Sequence, residues 1–314
     1  MLDRASLPQA RPRHLHAVYP PARRGADRRE SARAARNPGL EVSALYAALL
    51  FASGAFTGTL GAILGLGGGV FLVPALVLGF GVPIRDAAAA GLVAVIATSS
   101  AAAAVNTGRG LVNIRLGMVL ETATVSGAVA GGVAAAFLPA RVIIGVFGAL
   151  LAAVTVLLWR EPAAHDPDAA DSDGLFPDEY HDPSLGRTVR YSVRRIGAAM
   201  GTAFFAGNLS GLLGVGGGVV KVPVLHLFCG MPIKAAAATS NFMIGVTGAA
   251  GAVTYAMHGG LDSSLCGIVA LGVLSGSTAG ARIAPHLPAR AIRRVFALLT
   301  LLLSIQMLRR SLGL

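Results

Sequence analysis

Charge is scarce in this chain. Aspartate, glutamate, lysine and arginine make up 13% of its 314 residues, about half the ~25% usual for a soluble domain. Cysteine is scarcer still: Cys229 and Cys266 are the only two. Both stand in apolar surroundings without metal-ligand spacing, so neither a disulfide framework nor a zinc site can be built from them. The alternating pattern of a transmembrane β-barrel strand is absent, which leaves helices. No nucleophile constellation, nucleotide loop, paired acid site or metal cluster emerges, so an enzyme would lack its chemistry and no cofactor is implied. What fills the chain instead is apolar sequence, 54% of residues with a mean hydropathy of +0.67. That composition reads as an all-α polytopic membrane protein embedded in a lipid bilayer, because a spanning helix needs about 20 apolar residues and closed backbone hydrogen bonding.

The net charge of +11 suggests nucleic acid at first sight. The positive residues, however, gather in the N-terminal arm and at the ends of apolar segments, where they set membrane orientation; no nucleic-acid partner is expected.

The dominant positive feature is a repetition. Gly-Leu-Gly-Gly-Gly-Val-Phe-Leu-Val-Pro at Gly65 to Pro74 returns 149 residues later as Gly-Val-Gly-Gly-Gly-Val-Val-Lys-Val-Pro at Gly214 to Pro223. The same offset carries Pro83-Ile84-Arg85 onto Pro232-Ile233-Lys234, and Leu138-Pro139-Ala140-Arg141 onto Leu287-Pro288-Ala289-Arg290. Two homologous repeats therefore occupy residues 41–160 and 196–314. A repeat built around Gly/Pro-interrupted membrane segments points to a transporter and to the location of its binding site.

Residues 1–40 are rich in Arg, Ala and Pro and read as a disordered basic cytoplasmic arm; the pairs Arg23-Arg24 and Arg28-Arg29 lack the cleavage site that a twin-arginine export signal would need. The first repeat offers apolar segments at 44–66, 87–105, 116–137 and 142–159, with a short piece at 70–80. The second offers 196–215, 236–257, 263–284 and 291–308, with a short piece at 219–228. The first short piece covers about 18 Å as a helix, less than a ~30 Å hydrocarbon core, and is expected to be a broken or re-entrant segment. Between the repeats, the polar linker 161–195 turns from acidic to basic and is expected to be flexible and outside the membrane. Four spans per repeat place the arm, the linker and Arg309-Arg310 on one side, the cytoplasmic one by the positive-inside rule. Ten spans with an inverted second repeat are the alternative.

Gly67, Gly68 and Gly69, and their counterparts Gly216, Gly217 and Gly218, permit close or left-handed backbone. Pro74 and Pro223 then interrupt helix bonding. The freed amides and the positive end of each half-helix suit an anion, although close helix packing would also use such glycines. Lys221 stands where the first copy has Leu72, and an intramembrane lysine is a functional candidate unless it snorkels. Thr98 and Ser99 in one copy, and Thr239, Ser240 and Asn241 in the other, can donate to oxyanion oxygens or satisfy helix carbonyls. Glu121 and His226 are candidates for proton coupling, His226 with a hydrogen-bonded core role as its simpler reading. The two breaks are expected to meet near the bilayer midplane around one site. No metal ligand set is expected.

The doubled Gly-x-Gly-Gly-Gly-x-x-x-Val-Pro and its collinear companions resemble the TauE/SafE family of membrane transporters over about residues 44–310. That resemblance implies a duplicated helical carrier of sulfite, organosulfonates or related small organic anions across the bacterial inner membrane, often outward. An anion channel that uses the same breaks as a constriction is the alternative, and a membrane assembly protein a third reading. Surface helices rich in small residues leave room for a homodimer.

Overall fold

The computed structural model describes residues 44–64, 67–159, 175–182, 187–258, 262–283 and 289–313. The basic arm, the acidic part of the linker up to residue 174, and Gly65 lie outside the described residues. Eight helices of 18 residues or more dominate the described chain: α1 (Ala44–Leu64), α3 (Ile84–Gly108), α4 (Ile114–Phe137), α5 (Ala140–Trp159), α6 (Ile196–Leu213), α8 (Ile233–Met257), α9 (Ser263–Ile283) and α10 (Ala289–Leu312). Six of them, α1, α3, α4, α5, α6 and α9, are long and apolar enough to cross a membrane. The chain is accordingly a mostly helical, multi-pass membrane protein.

Two short helices interrupt this series at the repeated motifs. Helix α2 (Gly69–Pro74) runs directly into a π-helical turn, Ala75–Gly79, and α7 (Gly218–Pro223) into another, Val224–Phe228. Proline lacks the amide that an α-helix needs at this point, so the ladder loosens to wider spacing after each one. Both short pieces are helices that change to a π turn at the proline, the broken form of the two expected. All six residues of α2 are buried, so its surface is covered by neighbouring helices.

The longest packing seams join the two halves. Helix α1 lies along α9, α4 along α6, α5 along α10, and α3 along α8. Small residues let these backbones approach: a Cβ on Gly127 of α4 would strike the carbonyl of Phe204 on α6, and one on Gly276 of α9 the carbonyl of Ala55 on α1. Such close approach is the usual substitute for hydrophobic driving force inside a bilayer.

The linker is not wholly irregular, contrary to expectation. Strands β1 (Leu175–Asp182) and β2 (Arg187–Val193) pair antiparallel, with Tyr180 opposite Val189 and Asp178 opposite Tyr191. Val189, Tyr191 and Val193 alternate along β2 and are buried together with Tyr180. Their apolar face belongs to one cluster with Leu116 and Leu120 of α4, Leu225 of the second π turn, and Met243 of α8. Alternation at period two, in a segment that polar composition marks as loop, is the signal that places this hairpin. Burial raises the pKa of the Tyr191 phenol, with the Asp178 charge adding to it and Asn113 opposing.

Tyr191→Ala is expected to weaken hairpin docking by about 3 kcal/mol, the scale of a buried aromatic truncation. Trypsin cleavage at Arg187 and Arg190 should then accelerate at least tenfold in detergent while helix content is retained. Unchanged cleavage would show that the hairpin is held elsewhere.

Candidate functional site

The two glycine motifs touch. Gly67 has φ +76°, Gly216 φ +77° and Gly217 φ +71°, left-handed values that glycine adopts without strain. A Cβ on Gly69 would lie 2.6 Å from the Gly214 carbonyl oxygen and 2.9 Å from Val95 Cγ2; one on Gly216 would lie 2.7 Å from Val95 Cγ1. Val95 of α3 therefore sits between the first motif and the second. Gly68 has ordinary helical backbone, φ −67°, and its Cβ position faces Val273 Cγ1 at 2.8 Å.

Beside the first motif opens a cavity of about 520 Å³. Its wall combines Gly67 and Gly68 with Thr98, Ser99, Asn106 and Arg109 from α3 and its end, Asn241 and Ile244 from α8, and Ser277, Thr278 and Arg282 from α9. Of the residues singled out from sequence, Gly67, Gly68, Thr98, Ser99 and Asn241 meet here. The hydroxyls of Thr98, Ser99, Ser277 and Thr278 all donate to carbonyls of their own helices, at 2.7–3.2 Å. As placed they present acceptors, and the cavity's donors are Asn106, Asn241, Arg109 and Arg282. Neither arginine stood out in sequence, because a basic residue near a helix end reads as an orientation signal.

The remaining candidates lie around the second motif. Lys221 Nζ donates to Thr247 Oγ1 at 2.9 Å; Thr247 Oγ1 is 2.6 Å from Glu121 Oε1, to which it donates, with the Met243 carbonyl a 3.0 Å alternative acceptor. Lys221 Nζ stands 3.9 Å from Glu121 Oε2. Lysine and carboxylate side chains are 2% and 10% exposed, so Lys221 does not snorkel. This chain links α7, α8 and α4, and therefore both halves. Thr247 was not legible as a hub, although the 149-residue offset carries Thr98 onto it.

Gly218 packs on Ile244, whose Cδ1 would be 2.5 Å from its Cβ. Ile244 also lines the cavity, so this side chain touches both the cavity and the second motif. Ser240 Oγ is buried and without a hydrogen-bond partner among the described residues. Thr239 Oγ1 instead accepts from the Asn113 amide at 3.0 Å, fixing the start of α4. His226 Nδ1 donates to the Met231 carbonyl at 2.8 Å, clasping the turn after the π helix. Pro74 and Pro223 lie inside the short helices, and neither is in the cavity wall.

A family model described as "Sulfite exporter TauE/SafE" matches residues 50–307. The probable membrane transporter protein YunE of Bacillus subtilis is 25% identical over 267 residues, covering 83% of this chain and 96% of its own. A probable membrane transporter protein of Xylella fastidiosa is 27% identical over 262 residues, covering 82% and 94%. The probable membrane transporter protein MamO of Magnetospirillum gryphiswaldense is 28% identical over 185 residues, 53% of this chain but 29% of its own length. No solved structure matches.

Proposed function

The chain belongs to the sulfite exporter TauE/SafE family, and on that premise we propose that it is a secondary transporter that carries sulfite, an organosulfonate or a related small organic anion outward across the inner membrane. The observation that carries this reading is the cavity at the first glycine break. Two exposed arginines, Arg109 and Arg282, and two asparagines, Asn106 and Asn241, drawn from both halves, line it, in a volume suited to a small organic molecule.

The helix seams support a two-fold relation between the halves. Exchanging each residue for its counterpart 149 positions away turns Gly276 against Ala55 into Gly127 against Phe204. It likewise turns Gly280 against Thr59 into Gly131 against Asn208. Equivalent halves around a shared site are what alternating access requires. Six of the eight long helices are long and apolar enough to span; if the other two span as well, each half crosses four times, and the positive-inside rule then favours both termini on the cytoplasmic side.

Proteoliposomes loaded with sulfite should show saturable counterflow accelerated by sulfite on the opposite side. Conduction without such acceleration would favour an anion channel, and no flux with sulfite, taurine or simple carboxylates would sink the transporter reading. Arg282→Ala and Asn241→Ala are each expected to raise the sulfite KM about tenfold, since a hydrogen bond to a charged group is worth ~1.5–3 kcal/mol. Unaltered KM in both variants would place the substrate outside this cavity.

A further inference from the structure

We propose that Glu121 is the proton-coupling site of this carrier, taking up one proton at Oε2 for each anion bound, with Lys221 as the charge that ties the two events together. The inference rests on the carrier reading above and adds its coupling ion and stoichiometry.

Glu121 and Lys221 are, among the described residues, the ion pair formed by two buried side chains; the other, Arg190 with Glu179, is exposed. Within this pair the carboxylate is held on one side only. Thr247 binds Oε1, whereas Oε2 is buried and has no hydrogen-bond partner among the described residues. Two further buried oxygens share that condition, Ser210 Oγ and Ser240 Oγ. Both flank the second break: Ser210 Cβ would lie 3.4 Å from a Cβ on Gly217, and Ser240 Oγ 3.6 Å from one on Gly218. Two of the three unsatisfied oxygens, the serine hydroxyls, thus stand where α7 begins, three residues before Lys221. Unpaired buried hydroxyls beside the helix that carries Lys221 are polar groups that a proton path could use.

Charge balance supplies the coupling. With Glu121 ionised, the buried pair is neutral, and an anion entering the cavity meets no net attraction from it. A proton on Oε2 leaves Lys221 without its counter-charge in a low-dielectric setting, which is unfavourable unless another anion stands near. In this proposal that anion occupies the cavity, whose wall residue Ile244 packs on Gly218, three residues before Lys221 in the same short helix. Proton and monovalent anion then cross together with no net charge moved. The proton leaves Oε2 after the anion departs, and the pair reforms. Outward flux follows the anion's own gradient, and each anion released is followed to the same side by the one proton that Oε2 carried.

Among the described residues this is the one buried pair of opposite charges. At the positions 149 residues away, Leu72, Thr98 and Ala270 stand for Lys221, Thr247 and Glu121, so one proton accompanies each cycle. Lys221 is the charged group acting on Glu121, and Glu121 the one acting on Lys221, among the described residues. Arg115, Arg195 and Lys234 lie at the starts or caps of α4, α6 and α8. His226 on the π turn bonds the Met231 carbonyl, and Tyr191 on the hairpin interacts with Asn113. Thr247 is the positioning residue of the pair.

The test uses the full chain in proteoliposomes with radiolabelled sulfite, together with infrared titration of the same protein. Wild type should accumulate sulfite on the alkaline side of an imposed pH gradient, and its exchange should slow as pH rises on both sides. Glu121→Gln, fixed in the protonated form, should exchange sulfite with a flat pH profile and accumulate less than a tenth as much under the gradient. Thr247→Val should shift the pH profile without flattening it. Gradient-driven accumulation by Glu121→Gln equal to wild type would overturn the proposal, as would wild-type accumulation indifferent to the gradient. Loss of counterflow in wild type would tell against the carrier itself. In that case the carboxylic-acid infrared band still decides the proton site: a band that appears on acidification and is missing in Glu121→Gln supports it, and no such difference overturns it.

Discussion

Lys221→Met should lower folding stability by about 3–5 kcal/mol, the cost of leaving a buried charge without its partner. The physical cause is Glu121, whose carboxylate would keep the Thr247 hydrogen bond but lose the ammonium group 3.9 Å from Oε2. Thermal unfolding of the detergent-purified variant reads the effect as a large fall in midpoint. Adding Glu121→Gln to the same chain should restore most of the loss, since the remaining amide and thioether carry no charge. Wild-type unfolding of the single variant would mean that Lys221 and Glu121 do not form a buried pair. An unrepaired double variant would mean that the lysine stabilises through packing of its stem.

Valine at Gly127 or Gly276 should be as damaging, for steric reasons. The first Cβ would meet the Phe204 carbonyl and the second the Ala55 carbonyl, both backbone atoms that move only if whole helices separate. The expected cost is at or above the ~1–3 kcal/mol of ordinary overpacking. Size-exclusion profiles in mild detergent should show both variants largely aggregated. Gly201→Ala is the matched control, because a Cβ on Gly201 of α6 meets nothing within 4 Å. Because the two seams are equivalent under the 149-residue exchange, the two valine variants should fail to similar degrees. A monodisperse Gly127→Val protein would show that α4 and α6 are not in such close contact.

The same geometry limits what motif substitutions can reveal. Leucine at Gly217 would be strained by φ +71° and would direct its Cβ at the Ala206 carbonyl, 2.8 Å away. Its effect on flux would be mixed with misfolding. Gly68→Ala is cleaner: the backbone is already helical, and the obstructing atom is a methyl of Val273. Loss of exchange by this variant with preserved unfolding behaviour would tie the first break to transport.

Much of the architecture was legible from apolar segment length and the 149-residue offset, since helix formation in a bilayer is dictated locally by backbone hydrogen bonding. The short helices at Gly69 and Gly218 were legible for the same reason, a proline soon after three glycines. The hairpin is hard to read from sequence because its signal, Val189-x-Tyr191-x-Val193, spans only five residues inside polar sequence. At the site, the glycines, Thr98, Ser99 and Asn241 were found from chemistry. Arg109 and Arg282 were not, because nothing local distinguishes an arginine at a cavity wall from one at a membrane interface.

Membrane class, family and the two breaks follow from the order of residues, because each depends on residue types within a few turns of helix or on a fixed offset. The same order also determined that Lys221, Glu121 and His226 have no like counterparts in the other half. Tertiary structure alone decided what those residues do. It brought Glu121 of one half to Lys221 of the other through Thr247, turned His226 to the Met231 carbonyl, and turned the cavity hydroxyls back to their own helices. The reason is physical: a buried charge or hydroxyl takes the partner that packing supplies, and that partner can lie a hundred residues away in the chain.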